Sequence, residues 1–158
     1  RCSLKRTSSI YEFLDLRHGQ EHTNRIVETL PTIFRCSLKR TSSIYEFLDS
    51  RHEQEQTNRI VETFPAVLSC SLKRTKDVYD SLDSKGINAN EYIEQFPLLL
   101  YFSPRFIRNN PLDKIFEVMR RLEERRSKLQ TDSTFNSGER EISVFDKVAY
   151  RRYKEQEE

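Results

Sequence analysis

The chain has 158 residues, 35% of them hydrophobic and 33% charged, with a mean hydropathy of −0.78. Lys and Arg number 27 against 25 Asp and Glu, leaving a net charge of +2, so attraction to a polyanion has to come from segregating charge onto one face. No run of about 18 apolar residues exists, which excludes a long apolar membrane-spanning helix, and no secretory apolar segment opens the chain. The apolar share is also too small for one thick globular core, and that points to a repeat architecture in which each unit covers only its neighbours.

Repeats are what the sequence contains. The fourteen residues Cys2–Asp15 recur unchanged as Cys36–Asp49, and a looser copy runs from Cys70 to Asp83. Cys2, Cys36 and Cys70 stand 34 residues apart, a period of the stacked-repeat class. Repeat one (1–34) and repeat two (35–68) differ only at Leu16/Ser50, Gly19/Glu53, His22/Gln56, Leu30/Phe64, Thr32/Ala66, Ile33/Val67 and Phe34/Leu68. Repeat three covers 69–102. Arg1 falls in phase with Arg35, which implies that a leader has been removed or that earlier sequence is missing. Three cysteines at equivalent sites read as small reduced core side chains, favouring an intracellular compartment.

In repeat two, Leu38, Thr41, Ile44, Tyr45, Phe47 and Leu48 recur at helical spacing, and Ser37 supplies an N-cap. Asp49–Gln54 contains no apolar residue and is expected to be the turn. A shorter second helix is expected to be capped by Thr57, with Ile60, Val61 and Phe64 facing inward, and to stop at Pro65. Ala66-Val67-Leu68 forms an apolar link to the next unit. Repeat three loses two residues in the turn, where Gly86 is placed to take a left-handed conformation just past the first helix.

Beyond Pro104 the register fails. Phe106 and Ile107 begin a degenerate fourth unit, ending the repeat region at 107, and Asn109-Asn110-Pro111 signals a turn. A capping or projecting helix is expected over 111–129, with Leu112, Ile115, Phe116, Met119 and Leu122 as its buried stripe. A polar linker over 130–141 and a last helix or tail over 142–158 complete the chain. That charged tail has the character of an arm reaching a neighbouring protein.

Basic pairs recur just inside the long helix of each repeat: Lys5-Arg6, Lys39-Arg40 and Lys73-Arg74. Stacked repeats would line them into a stripe with a step of about 10 Å, suited to following phosphates, and Arg105 and Arg108 extend it. The competing reading is a solvated helix face whose charges pair with Glu46, Glu62 or their equivalents. Tyr11, Tyr45 and Tyr79 also repeat; base stacking is conceivable, but a tyrosine on an apolar helix face is ordinarily core. His18 and His22 are four apart, yet His52 is followed by Gln56, so neither a metal site nor any cofactor is expected. With three glycines there is no Gly-rich phosphate loop, no nucleophile has an orienting acid, and neither an enzyme nor a small-molecule substrate is expected.

The order proline, apolar residues, Ser-Leu, apolar helix, glycine, short helix and proline resembles the mitochondrial transcription termination factor (mTERF) repeat. Pro65-Ala66-Val67-Leu68-Ser69-Cys70-Ser71-Leu72, then Val78, Leu82 and Gly86, then Ile93, Phe96 and Pro97 is its fullest instance. His18 and His52 stand where the glycine belongs in the first two repeats, and the tail takes no part. Tetratricopeptide and ankyrin signatures are absent, and pentatricopeptide repeats lack the apolar proline turn. The resemblance implies an all-α solenoid of helix–helix–3₁₀ units in a mitochondrion, or alternatively a chloroplast, binding nucleic acid along a basic groove. Near-neutral charge and shortness favour RNA, as a component or assembly factor of an organellar ribosome. The alternatives are a DNA-binding transcription termination factor and a protein–protein scaffold without nucleic acid.

Overall fold

A computed structural model describes residues 4–132 and makes them all-α: eight α-helices, three 3₁₀ helices and no strand among the described residues. Cys2, the Arg6 side chain, linker residues 133–141 and the expected last helix at 142–158 lie outside the described residues. The chain divides after Phe116 into two units.

In the first unit one order of elements occurs three times. Repeat one gives α1 (Leu4–His18), α2 (Gln20–Thr29) and the 3₁₀ helix η1 (Pro31–Arg35). Repeat two gives α3 (Leu38–Arg51), α4 (Gln54–Thr63) and η2 (Pro65–Ser69); repeat three gives α5 (Leu72–Asp83), α6 (Ala89–Gln95) and η3 (Pro97–Tyr101). Each boundary has a local cause. Ser37 and Ser71 accept the backbone N–H of Arg40 and Arg74 at 3.2 Å, satisfying a donor the helix itself cannot. Leu30, Phe64 and Phe96 each precede a proline and leave the helical region with ψ of 69°, 71° and 72°. The prolines then open the 3₁₀ turns at a position where their missing N–H costs nothing. Gly86 takes φ 75°, as expected of a glycine closing a helix.

Equivalent elements pack side by side: α1 on α3, α3 on α5, α2 on α4, α4 on α6, and η1, η2 and η3 in a row. The core is correspondingly periodic. Ile10 and Leu14 are followed by Ile44 and Leu48, then Val78 and Leu82; Ile26 by Ile60 and Ile93; Ile33 by Val67 and Leu99, all essentially inaccessible. Full burial of one such side chain stabilises the fold by about 1.5–3 kcal/mol. The exchanges within this series, such as Ile33/Val67, change a core side chain by a single methylene.

Two expectations are corrected. The polar stretch Asp49–Gln54 is not all turn: α3 continues through Arg51, only His52 and Glu53 separate it from α4, and His52 is buried at 7% exposure. Thr57 is not a cap; Glu53 holds that position, and Thr57 is buried within α4. His52 is covered by Glu94 and Tyr79 of the next repeat, which its own repeat does not reveal.

The fourth unit is a single short helix, α7 (Pro104–Asn109), packed on α5. Ser103 caps it through the Phe106 N–H at 3.0 Å, as Ser37 and Ser71 cap theirs. Helix α8 (Leu112–Asp132) then begins, three residues longer than expected at its C-terminal end. Its first turns meet α6 through Phe116, whose ring lies 5.8 Å from Tyr92 and 5.6 Å from Phe96. In the second unit, α8 carries i,i+4 ion pairs between Glu117 and Arg121 and between Arg120 and Glu124.

Candidate nucleic-acid interface

The serine that caps each long helix fixes where the basic pair sits. Two residues after Ser37, Ser71 and Ser103 come Lys39, Lys73 and Arg105, and Lys5 holds the same place in α1. All four are exposed. None of α1, α3, α5 or α7 has an acidic residue in its first turn, whereas α2, α4, α6 and α8 carry Glu21, Glu55, Glu91 and Asp113 there. Helix N-termini are already partly positive, so these cations add to the dipoles instead of neutralising them.

The arginine beside each lysine is differently placed. Arg40 Nη2 donates to the Ser69 carbonyl at 2.6 Å, and Arg74 Nη2 to the Tyr101 carbonyl at 2.5 Å. Those carbonyls close η2 and η3, so the arginines satisfy terminal acceptors and fasten each long helix to the 3₁₀ turn behind it. Arg74 is half-buried, with its Nε lacking a partner among the described residues. Arg108 donates to Ser81 Oγ at 3.1 Å while its carbonyl accepts Lys85 Nζ at 3.2 Å, fixing α7 to α5. Of the eight sequence candidates, Lys5, Lys39, Lys73 and Arg105 are exposed at the equivalent position. Arg40, Arg74 and Arg108 donate to groups within the protein, although Arg40 and Arg108 stay exposed. The Arg6 side chain lies outside the described residues.

The most elaborate polar cluster lies elsewhere and occurs twice, at the seam between repeats. Arg17 donates through Nη1 and Nη2 to both carboxylate oxygens of Asp49 at 2.9 Å, and its guanidinium carbon lies 4.4 Å from the centre of the Tyr45 ring. Asn58 Nδ2 donates back to the Arg17 carbonyl at 2.9 Å. His18, whose side chain is 0% exposed, places Nδ1 2.7 Å from Glu62 and Nε2 2.7 Å from the Tyr45 hydroxyl. One repeat on, Arg51 meets Asp83 at 2.8 Å and Asn90 at 2.9 Å, and lies 5.0 Å from the Tyr79 ring centre. His52 Nδ1 is 2.6 Å from Glu94 and Nε2 is 2.7 Å from the Tyr79 hydroxyl.

Burial holds the His18 pKa below its ordinary value of 6.5, outweighing the opposing pull of the Glu62 carboxylate. The imidazole is therefore neutral at physiological pH: Nδ1–H donates to Glu62 and the Tyr45 hydroxyl donates to Nε2. Burial raises the Tyr45 and Tyr79 phenols well above theirs, keeping both protonated as donors. Although it combines His, Glu and Tyr, this cluster has both ring nitrogens occupied and no imidazole surface for a substrate. It fastens repeats together. A polar surface cleft beside the second copy is lined by Arg51, His52, Asn90 and Glu94 of that cluster together with Asp49 and Gln56.

Of the tyrosines expected in the core, Tyr45 and Tyr79 are buried at 1% and 0% exposure and Tyr11 is half-buried. The roles of Arg17, Arg51, Asn58 and Asn90 are not evident from the sequence. The available signal was Arg-His kept in two turns beside a Tyr-Asp and an Asn-Glu kept at the same period. Cys36 and Cys70 are free thiols, the first buried, the second half-buried with its pKa raised by burial. No group of three or more His, Cys, Asp or Glu able to hold a metal occurs among the described residues. No family model, curated protein or solved structure matches the chain.

Proposed function

We propose that the chain is a short helical solenoid of the mitochondrial transcription termination factor type that binds structured RNA in an organelle, as a component or assembly factor of the ribosome there. The observation that carries this reading is the series Lys5, Lys39, Lys73 and Arg105, exposed at one position on four helices packed in succession. Helices pack 8–10 Å apart, about three times the roughly 3.4 Å axial rise per phosphate along one strand of a duplex, so successive cations can meet phosphates about three nucleotides apart. The helix N-termini beneath them reinforce the attraction to phosphate. Structured RNA is favoured over duplex DNA because three repeats offer a short track and a net charge of +2 supplies little non-specific pull.

The test is binding to structured RNA, duplex DNA and single strands over a salt series, for the natural chain and for Lys5→Glu/Lys39→Glu/Lys73→Glu. Each phosphate contact contributes about 0.7–0.9 to the log–log salt slope, so the triple variant should lose roughly 2 or more. The arginines are left intact because changing Arg40 or Arg74 would disturb the 3₁₀ contacts. Binding to duplex DNA in preference would favour the termination-factor reading. No binding at low salt would leave a protein–protein scaffold, which the internal use of Arg40 and Arg74 favours.

A further inference from the structure

We infer that the outer face of repeat one is a half-built stacking site, made to be covered by one further repeat whose first helix ends in Arg-His. Each seam has two halves. The donor half is Arg17-His18 or Arg51-His52; the acceptor half is Tyr45, Asp49, Asn58 and Glu62, or Tyr79, Asp83, Asn90 and Glu94. Repeat one has the complete acceptor half, Tyr11, Asp15, Asn24 and Glu28, with no Arg-His donor against it among the described residues.

The vacancy shows in the contacts. Tyr45 and Tyr79 give their hydroxyls to a histidine, whereas the Tyr11 hydroxyl turns aside to Asn24 Oδ1 at 2.7 Å. Asn24 in turn lacks the arginine carbonyl that Asn58 and Asn90 hold at 2.9 and 2.8 Å. Apolar neighbours agree: Val27 and Thr7 are half-buried, while Val61 and Thr41, the same residues one repeat on, are 0% exposed. Two exposed carboxylates, Asp15 and Glu28, with no ion-pair partner among the described residues, give the face the charge that Arg-His complements.

The occupant is a repeat of this kind placed directly ahead of repeat one. A second copy of the chain fits poorly. Its Arg17-His18 and Arg51-His52 are engaged, and its third repeat has Lys85-Gly86 at that position, so it has no unengaged Arg-His pair to offer. The Lys-Gly pair marks where the series of clasps stops: Lys85 turns to the Arg108 carbonyl and α7 covers the end of α5.

The test adds a copy of residues 1–34 in phase ahead of Arg1 and follows urea unfolding of the 158-residue chain, the extended chain, and an extended chain whose added Arg-His is replaced by Lys-Gly. The intact extension should unfold together with the rest at a higher urea midpoint, with an unfolding constant at least about 10-fold smaller than with Lys-Gly. Tyr11→Phe/Asp15→Asn should leave the 158-residue midpoint unchanged and remove the gain in the extended chain. An added repeat that stays unfolded on a folded body, or Arg-His and Lys-Gly extensions of equal stability, would overturn the inference. So would concentration-dependent self-association of the 158-residue chain abolished by Tyr11→Phe/Asp15→Asn, which would assign the face to a second copy.

Discussion

One substitution at three equivalent positions tests the clasp directly. Tyr→Phe at 11, 45 and 79 removes the same oxygen from near-identical helices in different surroundings. At Tyr79, 0% exposed, the ring keeps its edge contact with Phe47 at 5.1 Å and its place under Arg51, so the change is confined to the hydroxyl. His52 Nε2 then loses its partner at 2.7 Å in a position where its side chain is 0% exposed and water cannot replace it. Stranding a buried polar atom costs about 1–3 kcal/mol. The same arithmetic holds at Tyr45, whose partner is His18. At Tyr11 the hydroxyl meets Asn24 on the exposed side of the molecule, and its loss should cost less than about 0.5 kcal/mol. Urea unfolding followed by circular dichroism at neutral pH gives the three values, and each kcal/mol should also lower Tm by roughly 2–8 °C. Equal effects at all three positions would refute the claim that the clasp, and not helix packing alone, fastens one repeat to the next.

Other outcomes follow from the same contacts. The unfolded chain protonates His18 at its ordinary pKa of 6.5, the folded chain only at a lower pH, so stability should fall with falling pH through the window below 6.5. In His18→Gln this slope should flatten; a natural chain that gains stability over that window would contradict the neutral assignment. Arg17→Lys keeps the charge but loses the two-pronged contact with Asp49, and should cost on the order of 1 kcal/mol in urea midpoints. Arg25→Lys, in an exposed i,i+4 pair with Glu21, should be close to neutral by the same measurement. In a Cys2→Ser background, Cys36 and Cys70 should react with a thiol reagent far more slowly in the native state than in denaturant, Cys36 most slowly. Fast native labelling of both would contradict their burial.

Local rules were enough to find the elements. Serine caps, prolines at the 3₁₀ turns, Gly86 and the apolar spacing of Ile44, Tyr45 and Leu48 are effects between residues a few positions apart, and they appear in the sequence as such. The 34-residue period made it possible to expect the same unit three times. What it could not supply was the fate of polar side chains. Arg51 and His52 read as turn residues because nothing within their own repeat buries them. The covering groups, Asp83, Asn90, Glu94 and Tyr79, arrive from 27 to 42 residues further along the chain. The contacts of Arg40 and Arg74 with the 3₁₀ carbonyls of Ser69 and Tyr101 are hidden for the same reason, since those carbonyls lie 29 and 27 residues further along. Sequence alone determined the order of the helices, their serine caps and proline stops, and the apolar residues at the centre of each buried face, because those follow from chain geometry and water. Only the packing of one repeat on the next decided which charges stay in solvent as Lys39 and Lys73 do and which become internal bonds. A charge is desolvated by neighbours distant in sequence, and its role is fixed by whichever of them reaches it.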